Sequence, residues 1–306
     1  MAGSQDFEAD PRNDQALIWL NGDLVERADA KVSIVDAGFS MGDGIWEGLR
    51  LHKGRLLFLE AHLDRLFAGA AAISLDIGLD RPGIEAALLE VLAANGMSDG
   101  AHLRLMVTRG PKSTINQDPR TALGRPTIAI TAEHKMPALA VAGAGLRLKT
   151  VSVRCTPAHM FDMRLNSHSR LNLIVALLEA VDAGADEALM LDPDGFVSSC
   201  NATNFFFVRD GVVFTSSGKF CFNGITRGNM IELCQSHQIP VELGEFPLAD
   251  AHGADEAFVT GTLGGITPVR QIDEVILPPC PGPLTRHLRA LYAALKDADA
   301  AGTLKR

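Results

Sequence analysis

A dense polar cluster occupies residues 164–172 and precedes a clean apolar run. Within it, His168 could move a proton at neutral pH, because an unperturbed imidazole titrates near pKa ~6.5. Arg164 and Arg170 could hold a substrate carboxylate through charge-assisted hydrogen bonds, although we expect one of them to be structural. Ser167 and His168 could instead only cap a helix. The cluster therefore predicts either a catalytic or a capping role for His168.

Three other segments have the residue types that bind an anion. GITRGN would begin a helix at Ile225 and Thr226, where unpaired backbone N–H groups accept phosphate. TGTLGGIT places the hydroxyls of Thr260 and Thr262 beside glycines that let a ligand approach the backbone. Arg65, in HLDRL, could neutralise the negative charge. Each feature alone also suits a helix cap or a solvated side chain, so a phosphate site requires the fold to bring them together.

The elements that must position these residues alternate between strands and helices. Asn21-Gly22, Lys53-Gly54 and Asp210-Gly211 predict tight turns of hairpins. Apolar residues at helical spacing, with helix-boundary signals, predict helices in the segments that begin LEAHLDRL, RPGIEAALL, NSHSRLNLI, GITRGN and PLTRHLRAL. KVSIVD is predicted to be a strand, and the polar residues 1–14 a loose tail.

The chain organisation predicts an α+β fold in two lobes. MPALAVAGAG, residues 136–145, lacks charge and is rich in Ala and Gly, which is typical of a linker. It would separate an N-terminal lobe, 1–135, from a C-terminal lobe, 146–306. The run Phe205–Phe207 predicts a strand buried on both faces, either in the core of one lobe or in a dimer.

Composition limits the classes of function. With 306 residues, 47% hydrophobic content and a net charge of −9, the chain can bury a full core and lacks the basic surface that nucleic acid or an anionic membrane requires. No apolar run approaches the ~20 residues of a membrane helix. Five cysteines without CxxC spacing, and no signal-peptide pattern, predict a reduced cytoplasmic protein. Small-molecule chemistry is the expected function.

Six segments, in order between about Leu17 and Asp273, carry a resemblance to a known family. They are DAGFSMGDGIWE, EAHLDRL, NSHSRLNLIVALLEA, DPDGFVSSCNATNFF, NGITRGN and FVTGTLGGITPVRQID. This series resembles the class IV aminotransferases, the fold-type IV pyridoxal-phosphate enzymes, which include branched-chain and D-amino-acid aminotransferases and aminodeoxychorismate lyase. The resemblance implies two α/β lobes, a homodimer, an amino or keto acid substrate, and pyridoxal or pyridoxamine 5'-phosphate as cofactor. The residues it implies for cofactor binding are Arg65, Ser199, Asn204, Ile225, Thr226 and Thr262, of which Arg65, Ile225, Thr226 and Thr262 would form the phosphate cup.

The lysine that forms the Schiff base in this family has no obvious counterpart. Asn166 stands 13 residues before Glu179, which is the expected position, and a different gap would place Arg164 there. Neither residue can form the bond, because a guanidinium stays protonated and an amide nitrogen is not nucleophilic. Lys149 and Lys219 are the lysines expected nearest to the site. The sequence thus predicts a cofactor that is not bonded to lysine.

Further departures concern the cofactor ring and the substrate. Ser199 stands where relatives carry the glutamate that keeps the pyridine nitrogen protonated, and a serine supplies no charge. Phe39, predicted with Arg170 to contact substrate, replaces the tyrosine of D-amino-acid aminotransferases. The loop from Pro111 to Arg125 lacks the Arg-x-His element of that subgroup. A D-amino-acid substrate is therefore not supported.

These observations predict an aminotransferase-like enzyme with weak or atypical transaminase chemistry. One alternative is a binding protein for a phosphorylated metabolite that performs no amino transfer. Another is a non-transaminase enzyme in which Arg164, His168 and Arg170 act on a carboxylate substrate.

Overall fold

The computed structural model describes residues 3–137 and 143–304. The chain divides into two compact units, each assembled from separate stretches of sequence. The first unit contains residues 9–136, 165–170 and 297–304, and the second contains residues 3–8, 137, 143–164 and 171–296. The predicted linker, 136–145, lies partly outside the described residues. Each unit also includes segments from both sides of it.

The first unit is an antiparallel sheet of six strands with order β2-β1-β6-β5-β3-β4. The strands are β1 (Ile18–Leu20), β2 (Asp23–Val25), β3 (Gly44–His52), β4 (Arg55–Leu56), β5 (Ala101–Thr108) and β6 (Thr127–His134). The helices are α1 (Ala37–Met41), α2 (Leu59–Ala72) and α3 (Arg81–Ala94), with 3-10 turns at Pro11–Gln15 and Pro119–Thr121.

Local chemistry explains these elements. The predicted hairpin turns are confirmed: β1 and β2 pair across Asn21-Gly22, and β3 and β4 pair across Lys53-Gly54, with positive φ at both residues of each turn. Helix α3 begins after Asp80, whose carboxylate accepts a hydrogen bond from the amide of Gly83. Apolar residues of the central strands pack with those of α2 and α3 to form the core of this unit.

The second unit is built on a mixed sheet of nine strands, with order β12-β11-β10-β13-β14-β7-β8-β9 and β15 paired to β14. The strands are β7 (Leu146–Thr150), β8 (Glu187–Leu191), β9 (Val197–Cys200), β10 (Asn204–Arg209), β11 (Val212–Ser216), β12 (Val241–Gly244), β13 (Glu256–Gly261), β14 (Gly265–Ile272) and β15 (Val275–Ile276). The helices are α4 (Leu171–Asp182), α5 (Ile225–Ser236), α6 (Leu248–His252) and α7 (Pro283–Ala300). The predicted α+β fold class is confirmed. No helix in the described parts of the chain has the length and apolar character needed to cross a membrane.

Two sequence-based interpretations of chain segments are wrong. KVSIVD is not a strand; it is an irregular segment that ends in a bridge between Asp36 and Pro111. The start of the chain is not a loose tail throughout, because Ser4 is 4% exposed and residues 11–15 form a 3-10 helix. In both segments, contacts with distant residues replace the local preferences.

The phenylalanine run on β10 is a core strand. Phe205, Phe206 and Phe207 are each at most 1% exposed, and the ring of Phe206 stacks on that of Phe258 with centroids 5.0 Å apart. The β10 neighbours β11 and β13 cover both edges of the strand. The three phenylalanine side chains are therefore buried by contacts within the chain and give no evidence for a subunit interface.

Candidate active site

The predicted catalytic cluster is extended chain rather than the first turn of a helix. Residues 165–170 run beside β3, with the Trp46 amide donating to the Asn166 carbonyl and the His168 amide donating to the Gly44 carbonyl, both at 2.9 Å. Helix α4 begins only at Leu171. The expectation that Ser167 and His168 cap a helix is therefore wrong, and these side chains are set by their pairing with β3.

Asn166 uses both ends of its side-chain amide on the protein. Its Nδ2 donates to the carbonyl of Trp46, and its Oδ1 accepts from Nη2 of Arg170 at 2.6 Å. The residue is 6% exposed. The position predicted for the family's lysine thus holds a buried amide whose hydrogen bonds fix residues 165–170 beside β3.

His168 and Ser167 present polar atoms without partners among the described residues. The Oγ of Ser167 and the Nε2 of His168 are both buried and make no hydrogen bond there. Burial lowers the pKa of His168, while a hydrogen bond from its ring to the Ile45 backbone opposes the shift. Because its pKa is lowered from 6.5, the His168 ring is neutral at pH 7. Gly44 permits this packing, because a Cβ there would lie 2.6 Å from the His168 ring.

Two arginines lie over the ring of Trp46 in the first unit. The guanidinium carbon of Arg104 is 3.9 Å from the ring centroid and that of Arg170 is 5.7 Å away. Nε of Arg170 also donates to the Ser167 carbonyl at 2.9 Å. Burial, reinforced by the positive charges of Arg65 and Arg104, lowers the pKa of Arg170 to about 10. These charges make the surface beside His168 attractive to an anion.

Sequence reasoning missed Trp46 and Arg104. The signal was the alternation of β3 and β5, which places Trp46 and Arg104 on one sheet face. Using it required the register between strands more than 50 residues apart, which no local pattern supplies.

A buried carboxylate orients Arg65. Nε and Nη2 of Arg65 donate to the two oxygens of Glu47 at 2.8 and 2.6 Å, and Nδ1 of His62 lies 2.7 Å from the same carboxylate. Burial raises the pKa of Glu47, but hydrogen bonds from Arg65 and His62 outweigh burial, so its pKa lies below the ordinary value. Glu47 is therefore ionised at neutral pH and fixes the direction of the Arg65 guanidinium.

In the second unit, the start of α5 has the features of an anion site. Its first residue, Ile225, follows Gly224, and no side chain caps the helix start. Asn204 holds this end, because its Oδ1 accepts from the Gly224 amide at 3.1 Å. Directly opposite Asn204 on β13 lies Thr260, which is 2% exposed and whose Oγ1 has no partner among the described residues. A buried hydroxyl without a partner beside an uncapped helix start fits a bound phosphate group.

Three other residues predicted to bind the cofactor, Thr226, Thr262 and Ser199, also belong to the second unit. Thr226 is buried on α5, and Thr262 is half-buried in the turn after β13. Ser199 is 6% exposed, donates from Oγ to the Thr203 carbonyl at 2.9 Å and lies 3.4 Å from Nδ2 of Asn204. The residues of the second unit that are predicted to form the phosphate cup therefore lie on α5 and in the turn after β13.

Other candidates lie in different surroundings. Arg164 is exposed and forms an ion pair with Asp162 at 2.7 Å. Phe39 is 71% exposed on α1. Lys149 pairs with Asp273 at 3.4 Å, and the exposed Lys219 lies 4.7 Å from the centroid of the Phe220 ring. Arg164, Lys149 and Lys219 thus each have a local partner, whereas Phe39 is exposed.

Comparison with solved structures defines the class of fold. A branched-chain amino acid aminotransferase of T.th., solved with pyridoxamine 5'-phosphate, superposes with a TM-score of 0.86 at 28% identity, over 95% of each chain. The same enzyme complexed with N-(5'-phosphopyridoxyl)-L-glutamate gives 0.84 at 28% identity, again over 95% of each chain. The protein thus has the fold of the fold-type IV aminotransferases.

Sequence relatives give the family. The profile of the amino-transferase class IV family matches residues 44–272. The chain is 39% identical over 288 residues to branched-chain-amino-acid aminotransferase-like protein 2 of Arabidopsis thaliana, covering 94% of this chain and 51% of that protein, so it spans about half the length of this relative. It is 32% identical over 285 residues to a branched-chain-amino-acid aminotransferase of Pseudomonas aeruginosa, covering 90% and 91%. The chain belongs to the class IV aminotransferase family.

Proposed function

We propose that this chain binds pyridoxal or pyridoxamine 5'-phosphate without a covalent bond to lysine and acts on an amino or keto acid with weak or atypical transaminase chemistry. The observation that carries the proposal is the buried Thr260 hydroxyl, without a partner among the described residues, beside the uncapped start of α5. Relatives of the same family are named for branched-chain amino acids, which gives the first substrates to test.

The phosphate would be held by several kinds of donor. The backbone N–H groups of Ile225 and Thr226 supply the helix start, and Thr260 and Thr262 supply hydroxyls. The family resemblance also assigns Arg65, which Glu47 holds within the first unit, to the phosphate. When bound, the cofactor supplies a ring that accepts electrons and the carbonyl or amino group that is exchanged.

The polar residues at 166–170 define what the protein itself contributes. Asn166 holds the segment and offers no amine. We assign to His168, whose ring is neutral at pH 7, the role of proton acceptor that a lysine amine would otherwise fill. We assign Arg170 to attract the substrate carboxylate and Phe39 to contact the substrate.

Ser199 makes the ring a weaker electron sink. Its hydroxyl proton is already donated to the Thr203 carbonyl, so its oxygen faces other groups as an acceptor. It supplies no negative charge to keep a ring nitrogen protonated. Transamination should therefore be slow compared with that of relatives that carry a carboxylate.

We further propose a cytoplasmic homodimer. Helix α4 exposes an apolar stripe at helical spacing, with Leu171, Ile174 and Leu178 each more than half exposed. Exposed apolar stripes of this kind are covered in an assembly, and a second copy covers it by two-fold symmetry. All five cysteines are free thiols, as in reduced compartments.

The runner-up is a binding protein for a phosphorylated metabolite. It is favoured by the anion-binding features at the start of α5, together with Asn166 and Ser199 at the positions where the family resemblance implies a lysine and a glutamate. A third candidate, an enzyme using Arg164, His168 and Arg170 without the cofactor, has less support because Arg164 is exposed and paired with Asp162.

Titration with pyridoxamine 5'-phosphate tests the proposal. Thr260→Val removes the hydroxyl with little change in shape and should weaken binding about tenfold. The matched control is Thr285→Val, which removes another buried hydroxyl that lacks a partner among the described residues; it should leave the affinity unchanged. Wild-type protein that binds simple phosphate esters but not pyridoxamine 5'-phosphate would favour the runner-up.

A further inference from the structure

A turn at residues 3–6 packs on the second unit through the buried Ser4. Ser4 is 4% exposed, and its amide donates to Oε1 of Glu187 at 3.0 Å. Residues 3–6 form a tight turn, in which the Asp6 amide donates to the Gly3 carbonyl at 3.0 Å. The first residue of β8 thus binds a segment that lies more than 180 positions away in sequence.

Glu187 links this segment to the turn that precedes β10. Its second oxygen, Oε2, accepts from Oγ1 of Thr203 at 2.8 Å, and the residue is 2% exposed. Burial raises the pKa of Glu187, and the hydrogen bonds from Ser4 and Thr203 oppose that rise. A buried carboxylate needs its donors, so loss of either one loosens the other.

Both ends of this link lie against the glycine turn, residues 261–265, which starts at the last residue of β13. A Cβ on Gly264 would lie 3.3 Å from the Ser4 carbonyl oxygen. One on Gly261 would lie 3.3 Å from Cγ2 of Thr203 and 3.8 Å from Nε2 of Gln5. The turn is therefore packed between the beginning of the chain and Thr203.

The contacted residues adjoin the proposed phosphate cup. Thr203 precedes Asn204, which holds the Gly224 amide at the start of α5. Gly261 precedes Thr262 in sequence. Displacement of Thr203 or of the glycine turn would move donors on both sides of the cup.

We infer that residues 3–6, acting through Glu187, are a positioning segment that fixes the α5 start and the Thr262 turn for phosphate binding. The inference rests on the proposed function for its ligand, but the ordering of the two loops can be measured without any ligand. Neither Ser4 nor Glu187 is placed in contact with the cofactor.

Ser4→Pro is the sharpest perturbation. It removes the amide that donates to Glu187, while proline is favoured at the second position of a tight turn such as 3–6. Ser4→Ala keeps the amide but removes the hydroxyl that also interacts with Glu187, so an intermediate loss is expected. The matched control is Asp6→Ala, which changes an exposed side chain of the same turn and leaves both Ser4 donors in place. Thr203→Val removes the other donor to Glu187 and gives an independent second variant should Ser4→Pro fail to fold.

Hydrogen exchange of the ligand-free proteins gives the first measurement. We expect the amides of Gly224, Gly228 and residues 261–265 to exchange about tenfold faster in Ser4→Pro and Thr203→Val than in the wild type, and to be unchanged in Asp6→Ala. Exchange in α7 should not change. A uniform increase across the second unit, or unchanged exchange in both loops, would overturn the inference.

Binding of pyridoxamine 5'-phosphate gives the second measurement. We expect the Kd to rise about tenfold in Ser4→Pro and Thr203→Val but not in Asp6→Ala. An unchanged Kd in the two variants would overturn the inference even if exchange increased. If wild-type protein does not bind the ligand while the loops still loosen, the positioning role of residues 3–6 stands and the proposed function fails.

Discussion

Replacing Asn166 by alanine should destabilise the protein, because the amide is used by the protein itself. Asn166→Ala removes the neutral hydrogen bond to the Trp46 carbonyl and the charged one from Arg170. A neutral hydrogen bond contributes about 1 kcal/mol to the free energy of unfolding and one to a charged group about 1.5–3 kcal/mol. Since the residue is 6% exposed, water does not fully replace these partners. We expect a loss of about 3 kcal/mol.

Urea unfolding measures this loss. For a slope near 2 kcal/mol per molar urea, the midpoint should fall by about 1.5 M. Asn166→Asp keeps an acceptor for Arg170 but loses the donor to Trp46, so its midpoint should lie between those of the wild type and Asn166→Ala. The control Ser169→Ala removes one neutral hydrogen bond to the Gly42 carbonyl in the same segment and should cost about 1 kcal/mol or less. An Asn166→Ala midpoint equal to that of Ser169→Ala would show that the Asn166 amide does not stabilise this segment. The amide would then be free to bind a ligand.

Three further perturbations test other parts of the account. Leu178→Glu places a charge on the exposed stripe of α4, so the mass measured by light scattering should fall from about twice the 32.6 kDa chain mass to that of one chain. The control Leu89→Glu, on α3, should not alter the mass, and a monomeric wild type would contradict the dimer. Burial lowers the pKa of His102 to about 3, below its ordinary value of 6.5, so the unfolded state binds the proton first. The free energy of unfolding should therefore fall as the pH drops from about 6.5 toward 3. His102→Gln should flatten that slope, and an unchanged slope would show that His102 is not responsible. Glu47→Gln releases Arg65 and should weaken the binding of pyridoxamine 5'-phosphate about tenfold, without changing the binding of pyridoxamine. Equal losses of affinity for both ligands would argue against a contact between Arg65 and the phosphate.

The sequence predicted those elements whose signals are local. The turns at Asn21-Gly22 and Lys53-Gly54, and the helices that begin near Leu59 and Ile225, follow from residue preference and periodicity. The uncapped start of α5 was likewise readable, because the helix signal and its glycine-preceded first residue are adjacent.

The misjudged elements depend on distant partners. The helix expected at Asn166 begins at Leu171, because the preceding residues pair with β3 about 120 positions earlier. The sequence around Ser4 predicts a tail, because its partner, Glu187, lies far along the chain and has no local signal of the contact. Arg104 was missed for the same reason, since its stacking on Trp46 depends on strand register.

The absence of a covalent bond between the cofactor and the chain is the central claim, and borohydride reduction tests it directly. Protein loaded with one equivalent of pyridoxal 5'-phosphate is reduced, its intact mass is measured, and its peptides are mapped. Because Asn166 offers no amine, and Lys149 is paired with Asp273, we expect the chain mass to be unchanged while the cofactor is released on unfolding. A stoichiometric pyridoxyl adduct on Lys149 or Lys219, prevented by excess pyridoxamine 5'-phosphate, would contradict the account.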